Sequence, residues 1–188
     1  MTSFVERVIG AAKLDVNTYE EVEADKTATG QAMAVVVLAA LMSGVAELGS
    51  NGFAGMIAGT IVALIGWFVW AFLTYIIGTK LLPEPETKSD VGELLRTTGF
   101  AQAPGILYVL GGVPMVGIAL SFLIWCWSVA TFVVGVRQAL DYKSTGRAVA
   151  VVLIGGVVYL VIRVFLLLVL LGLLVGIGIA AGGASNGG

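Results

Sequence analysis

Histidine is absent from the sequence, cysteine occurs once, and only 12% of the 188 residues are charged, against roughly 25% in an ordinary soluble domain. Without histidine the chain lacks the commonest ligand for haem, chlorophyll-type pigments and zinc, and the commonest general base near neutral pH. The lone cysteine, Cys126, sits inside an apolar run, which excludes a disulfide framework, an iron–sulfur cluster and a thiolate zinc site within one chain. It reads as a packing thiol. No nucleophile-and-base pair or metal cluster is visible, so no catalytic, cofactor-binding or metal residues are expected and enzymatic chemistry is disfavoured. Gly78-Thr79-Lys80 resembles the end of a phosphate loop but lacks its upstream glycine. No signal peptide is evident, because the first thirty residues are polar and acidic.

What the chain has is apolar length. It is 59% hydrophobic with 26 glycines, and unbroken apolar runs of about 18 residues or more recur. Between Arg96 and Arg137 lie forty residues without Asp, Glu, Lys or Arg, broken by Gly111-Gly112-Val113-Pro114. At about 1.5 Å per helical residue this is roughly twice a hydrocarbon core, so the run must enter the membrane and return. The spacing predicts an all-α integral membrane protein with five transmembrane helices, at about 30–48, 53–81, 98–111, 115–140 and 148–178. A polar amino-terminal segment, 1–29, precedes this membrane domain of 30–181, and a flexible Gly-rich tail, 182–188, follows it. The third segment, about 14 residues or 21 Å long, is short for a span. The last apolar run would reach roughly 50 Å and must protrude, bend or pack on protein.

Short helices are expected on the cytoplasmic membrane surface. Ser3 and Glu6 form a capping box for an amphipathic helix whose apolar positions, Phe4, Val5, Val8, Ile9 and Ala12, lie opposite Glu6, Arg7 and Lys13. Thr18 with Glu21 reads as a second box opening an acidic turn, and Thr27 or Thr29 as a cap for the first span. Gly49-Ser50-Asn51-Gly52 reads as a loop. Asp90 with Glu93 opens a helix expected to lie along the surface, and Pro104 breaks the helix that follows. Gly55 and Gly59 form a close-packing pattern, as do Gly172 with Gly176 and Gly178 with Gly182; Thr131, Gly135 and Ala139 make a small-residue stripe. Trp67 and Trp70, in the middle of a span, read as packing residues.

With five spans the polar segments 1–29, 80–97 and 137–147 fall on one side and carry nine of the ten basic residues. The positive-inside rule makes that side cytoplasmic, with the amino terminus in and the carboxyl terminus out. The remaining base, Arg163, lies about 22 Å along the last span, and Glu47 about 25 Å along the first. The matched depths suggest an intramembrane pair, Glu47 with Arg163; snorkelling of Arg163 to the headgroups is the alternative.

Four stretches carry a resemblance: residues 19–32, beginning Tyr19-Glu20-Glu21; residues 75–80; residues 94–105, including Arg96, Gln102 and Pro104; and residues 136–142, including Arg137 and Asp141. Together they resemble the bacterial branch of the Yip-one domain family over about residues 13–170. The resemblance implies a five-span helical domain with a cytoplasmic amino terminus in the bacterial inner membrane. The family's eukaryotic members are implicated in vesicle trafficking, Rab-GTPase interaction and organelle shape. No catalytic residues come with it. Candidate interaction residues are Arg96, Gln102, Pro104, Arg137, Asp141, Tyr19, Glu20 and Glu21. The leading function is a membrane scaffold. An accessory subunit of a larger membrane complex is second and a small-solute or lipid transporter third. Expected partners are membrane lipids and a membrane protein or a second copy, not nucleic acid.

Overall fold

The computed structural model describes residues 2–185, and every regular element among them is helical. Helix α1 spans Phe4–Ala12 and α2 Val16–Ala24; a 3-10 turn, Lys26–Ala28, leads into α3, Thr29–Ala46. Helix α4, Leu48–Ile76, closes with a π turn over Ile77–Leu81. Helix α5 is Val91–Phe100 and is followed by a 3-10 helix over Ala103–Gly112; α6 is Gly117–Ala139 and α7 Thr145–Ser185. Four stretches are long and apolar enough to cross a membrane: Lys26–Ala46, Leu48–Leu81, Gly117–Ala139 and Thr145–Leu173. Ile61, Ile65 and Phe72 of α4 and Leu160 and Phe165 of α7 are each more than half exposed. A contiguous apolar surface of this kind is stable against hydrocarbon rather than water.

Local chemistry sets the helix starts. Ser3 and Glu6 bond reciprocally across the first turn of α1, and Asp90 and Glu93 do the same for α5, each satisfying two orphan amides. Two expected caps are corrected. Asp15 rather than Thr18 caps α2, accepting from the Asn17 amide, and Thr18 donates its hydroxyl to Asp15 at 2.6 Å. Asp25 caps the 3-10 turn, while α3 starts behind Ala28 with no side-chain cap. In each case an aspartate two to four residues upstream takes the cap, because its carboxylate is the stronger acceptor for an amide at a helix start.

The expected loop at 49–52 is instead mostly helical. Residues 48–51 form a turn, and only Gly52, at φ 63° and ψ −176°, breaks it before α4 proceeds. Glycine takes this backbone without a Cβ clash. The pattern Gly55 and Gly59 is split: a Cβ at Gly55 would lie 2.7 Å from Asn51 Cβ, across the Gly52 break, whereas one at Gly59 would meet nothing within 4 Å. Gly172 is likewise open, and side chains beyond residue 173, including Gly176, Gly178 and Gly182, lie outside the described residues. Of the tail 182–188, the backbone is described only to Ser185, within α7.

Helix α5 does not lie on a surface. Its residues 94–100 are all buried, enclosed by α2, α3, α4 and α6. The polar-looking run Arg96-Thr97-Thr98 misleads because each threonine hydroxyl folds back onto a carbonyl of its own helix, Thr97 onto Glu93 at 3.1 Å and Thr98 onto Leu94. Such back-bonding lets a threonine be buried without a tertiary partner.

Pro104 stands in the first turn of the 3-10 helix, where its missing amide costs nothing. From there the chain climbs beside α3: Gly99 packs on Ala32, Gly105 on Ala39 and Gly112 on Ala46. Thirteen residues thus keep pace with fourteen of α3, which at about 1.5 Å each is roughly 21 Å. The 3-10 form helps, since about 2.0 Å per residue carries ten residues some 20 Å rather than 15 Å. Fully buried Tyr19, Leu94, Phe100, Val136 and Leu140 form the core, at the end where α2, α5 and the close of α6 meet.

Candidate functional site

The three polar segments of the sequence converge on one end of the bundle, held by three sets of charged contacts. The first is internal to the amino-terminal segment. Arg7 is only 3% exposed, and its guanidinium meets Glu21 and Asp25 at 2.8 Å each and donates to Gln31 Oε1 at 3.0 Å. This staples α1 and α2 to the start of α3. Bonds from Thr27, and then from Arg7, hold the Asp25 carboxyl down at about 2. Glu21 is also lowered, first by the Thr2 hydroxyl and then by Arg7.

The second contact joins this segment to α5. Arg96, 5% exposed, donates from Nε to the carbonyls of Val22 at 3.0 Å and Glu23 at 2.9 Å, and from Nη2 to Glu23 again. These carbonyls belong to the last turn of α2, where the helix leaves acceptors unsatisfied and carries the negative end of its dipole. The Glu23 side chain stands nearby in an acidic setting. Burial first, then Glu93, Asp141 and Glu20, push its carboxyl up to about 7, with Arg96 opposing.

The third contact ties the linker after α4 to the loop between α6 and α7. Glu84 accepts from the Lys143 amide at 2.9 Å and pairs with Arg147 at 3.5 Å, while Glu86 pairs with Lys143 at 2.5 Å. Tyr142 completes it by donating its hydroxyl to the Gly78 carbonyl at 2.9 Å and the Leu82 carbonyl at 2.7 Å. Both acceptors lie at the π turn, where the altered register frees carbonyls. Leu140 packs on Gly78 so closely that a Cβ there would lie 2.4 Å from Leu140 Cδ1.

The sequence-derived candidates divide sharply in this frame. Tyr19 is fully buried, its hydroxyl donating to Ala11 O at 3.2 Å, and Pro104 is buried too. Arg137 is half-buried and donates to the Tyr142 carbonyl at 3.2 Å, closing the turn in which Asp141 adopts φ 53°. Glu20 and Asp141 are exposed, and Glu21 is engaged by Arg7. Gln102 is half-buried and lines a partly open cavity. Arg163 is exposed, and among the described residues no ion pair joins it to Glu47, whose carboxylate accepts from Asn51 Nδ2 at 2.8 Å.

Three structural contacts escaped the sequence reading. Arg7 sits on the nominally polar face of α1 but turns inward, leaving Val5 and Ile9 exposed. Its signal was the acidic run at 20–25, which offers it partners. Trp67 donates from Nε1 to the Leu95 carbonyl at 3.2 Å, tying α4 to α5, and nothing local announces that bond. Tyr142 was quoted only within a family stretch. Among the described residues no group of His, Cys, Asp and Glu side chains could hold a metal ion.

A family model for the Yip1 domain matches residues 16–166, four fifths of the chain. Neither a curated protein nor a solved structure matches it.

Proposed function

Since the chain belongs to the Yip1 domain family, we propose that it is a non-enzymatic scaffold of the bacterial inner membrane, with its polar end cytoplasmic, that organises lipid and protein partners there. The observation carrying this reading is the convergence of segments 1–29, 80–97 and 137–147, through Arg7, Arg96 and Glu84, into one cross-braced cap. The cap holds nine of the ten basic residues, as expected of the cytoplasmic side. Val5 and Ile9 of α1 are exposed, and so are Glu20 and Asp141. A short helix with exposed apolar residues suits the headgroup boundary, and the acidic residues suit a basic protein partner.

Five crossings complete the proposal. For α6, 23 residues long, to end at the cap it must begin at the opposite end of the bundle. The climb of residues 99–112 beside α3 supplies that ascent. The amino terminus then lies in the cytoplasm and the carboxyl terminus outside. A second reading, an accessory subunit of a larger membrane complex, is favoured by Gly59, whose open face would admit a neighbouring helix.

Purification in mild detergent followed by mass spectrometry of retained proteins and lipids tests these readings. A scaffold retains lipid and a substoichiometric or second-copy partner, whereas a subunit retains one heterologous membrane protein at fixed stoichiometry. Solute flux in liposomes carrying the pure protein overturns both.

A further inference from the structure

Midway along the bundle, away from the cap, two cavities of about 420 and 210 Å³ share Ala63, Trp70, Gln102 and Phe132. The larger alone is within the range of small-molecule sites, roughly 300–1,000 Å³. Its wall combines α3, α4, the 3-10 helix, α6 and, through Val152, α7, and no charged side chain among the described residues lines either cavity. Among the described residues two lining side chains carry buried polar atoms without a hydrogen-bond partner of good geometry, the indole Nε1 of Trp70 and Ser128 Oγ, and the Tyr108 hydroxyl stands beside the second. An unpaired donor in a low-dielectric setting is destabilising, so the Trp70 indole beside this cavity calls for an acceptor.

We propose that this cavity is a lipid-binding site, taking the ester-linked acyl chain of a glycerolipid with its carbonyl accepting from Trp70 Nε1. An indole N–H donates and never accepts, so it selects an acceptor. With no cation in the wall, that acceptor is neutral, and the ester carbonyl is the neutral acceptor the bilayer supplies in quantity. Ser128 and the Gln102 amide stand beside it as adaptable partners. The apolar remainder of the wall suits methylenes: Trp70 meets Phe132 and Tyr159 edge to face, ring centroids 5.8 Å apart in both pairs. Trp125, 55% exposed, marks the side through which a chain would enter from the bilayer. The site lies outside the cap and stands or falls apart from the scaffold reading.

The test is photo-crosslinking of the full-length protein in detergent micelles free of other lipid and containing a trace of phospholipid whose acyl chain carries a diazirine near the ester. Adducts are mapped by mass spectrometry. The expected result is labelling concentrated on peptides containing Gln102 and Ser128, saturable by unlabelled diacyl lipid, with a dialkyl ether analogue competing about 5- to 10-fold less well, the worth of one neutral hydrogen bond. Trp70→Phe, which keeps the ring and removes the donor, abolishes the ester–ether difference. Ala63→Phe, which projects a ring into the space that both cavities share, reduces the labelling. Equal competition by ester and ether lipids on the unaltered protein overturns the proposal, and needs no variant to fold. Unsaturable labelling, or labelling spread evenly over the outer face at Phe68 and Phe72, overturns it as well.

Discussion

Arg96 Nε lies 3.0 Å from the carbonyl oxygen of Val22, so a side chain of α5 finishes α2 across 74 residues of sequence. The guanidinium is buried, and the carbonyls it reaches have no other hydrogen-bond partner from a side chain among the described residues. Replacing Arg96 with methionine keeps the aliphatic stem and strips the donors. The expected outcome is a loss of about 1.5–3 kcal/mol, the worth of hydrogen bonds to a charged group, with α1 and α2 released from the membrane domain. Thermal unfolding in detergent reads the first effect, and faster tryptic cleavage at Lys13 and Lys26 reads the second. Arg96→Lys is expected to rescue only in part, because an ammonium cannot span two carbonyls as the planar fork does.

The Arg7 staple predicts coupling rather than mere loss. Arg7→Gln and Asp25→Asn each break the 2.8 Å pair, and Arg7 also serves Glu21. Because the guanidinium is enclosed, the double variant is expected to cost less than the sum of the singles, by about 0.5–3 kcal/mol in a cycle. Strict additivity in thermal unfolding shows that the pair does not bind α1 to α2.

Features set by local chemistry were legible in the sequence. The boxes at Ser3 and Asp90, the break at Pro104, the small stripe at Thr131, Gly135 and Ala139, now on the buried face of α6, and the packing role of Trp67 all follow from neighbours a few residues apart. What was hidden depends on partners far along the chain. Arg96 and Tyr19 look like exposed recognition residues until α2 and α5 are brought together, and then they are interior. The burial of α5 was illegible for the same reason: its threonines look polar, yet they satisfy themselves within one helical turn. The 3-10 form of the third segment was not announced by its pattern, and its climb beside α3 is roughly 21 Å, the same length that its residue count suggested.

Glycines that look alike in sequence separate by what stands against them. A Cβ at Gly99 would lie 2.7 Å from Ala32 Cβ and 3.1 Å from the Ala32 carbonyl oxygen, while one at Gly59 would touch nothing. Gly99→Val is expected to prise α5 from α3 and cost about 1–3 kcal/mol, the range for overpacking. Gly59→Val is expected to leave the unfolding temperature of the isolated chain within about a degree or two. If Gly59 is a contact face, the same substitution removes the co-purifying partner, and that dissociation without destabilisation is the reading to look for.

Glu23 predicts how the cap responds to pH. Its carboxyl is raised from the ordinary value near 4.5 to about 7 by burial and by Glu93, Asp141 and Glu20, with Arg96 opposing. A raised carboxyl binds its proton more tightly in the folded state than in the unfolded chain. The stability this adds is fully present below about pH 4.5 and is lost as pH rises through 7. Asp25 has the opposite sign but a different window: lowered to about 2, it contributes above about 3.8 and loses that contribution only as pH falls towards 2. Between pH 5 and 8, therefore, Glu23 alone of the two gives a slope, and it is downward. The unfolding temperature of the protein is expected to fall across that interval, and Glu23→Gln, which is neutral throughout, is expected to flatten the profile and to unfold at higher temperature than the parent at pH 8. An unchanged slope in Glu23→Gln shows that the acidic setting around the end of α2 is relaxed by solvent, and that Arg96 holds those carbonyls independently of the Glu23 charge.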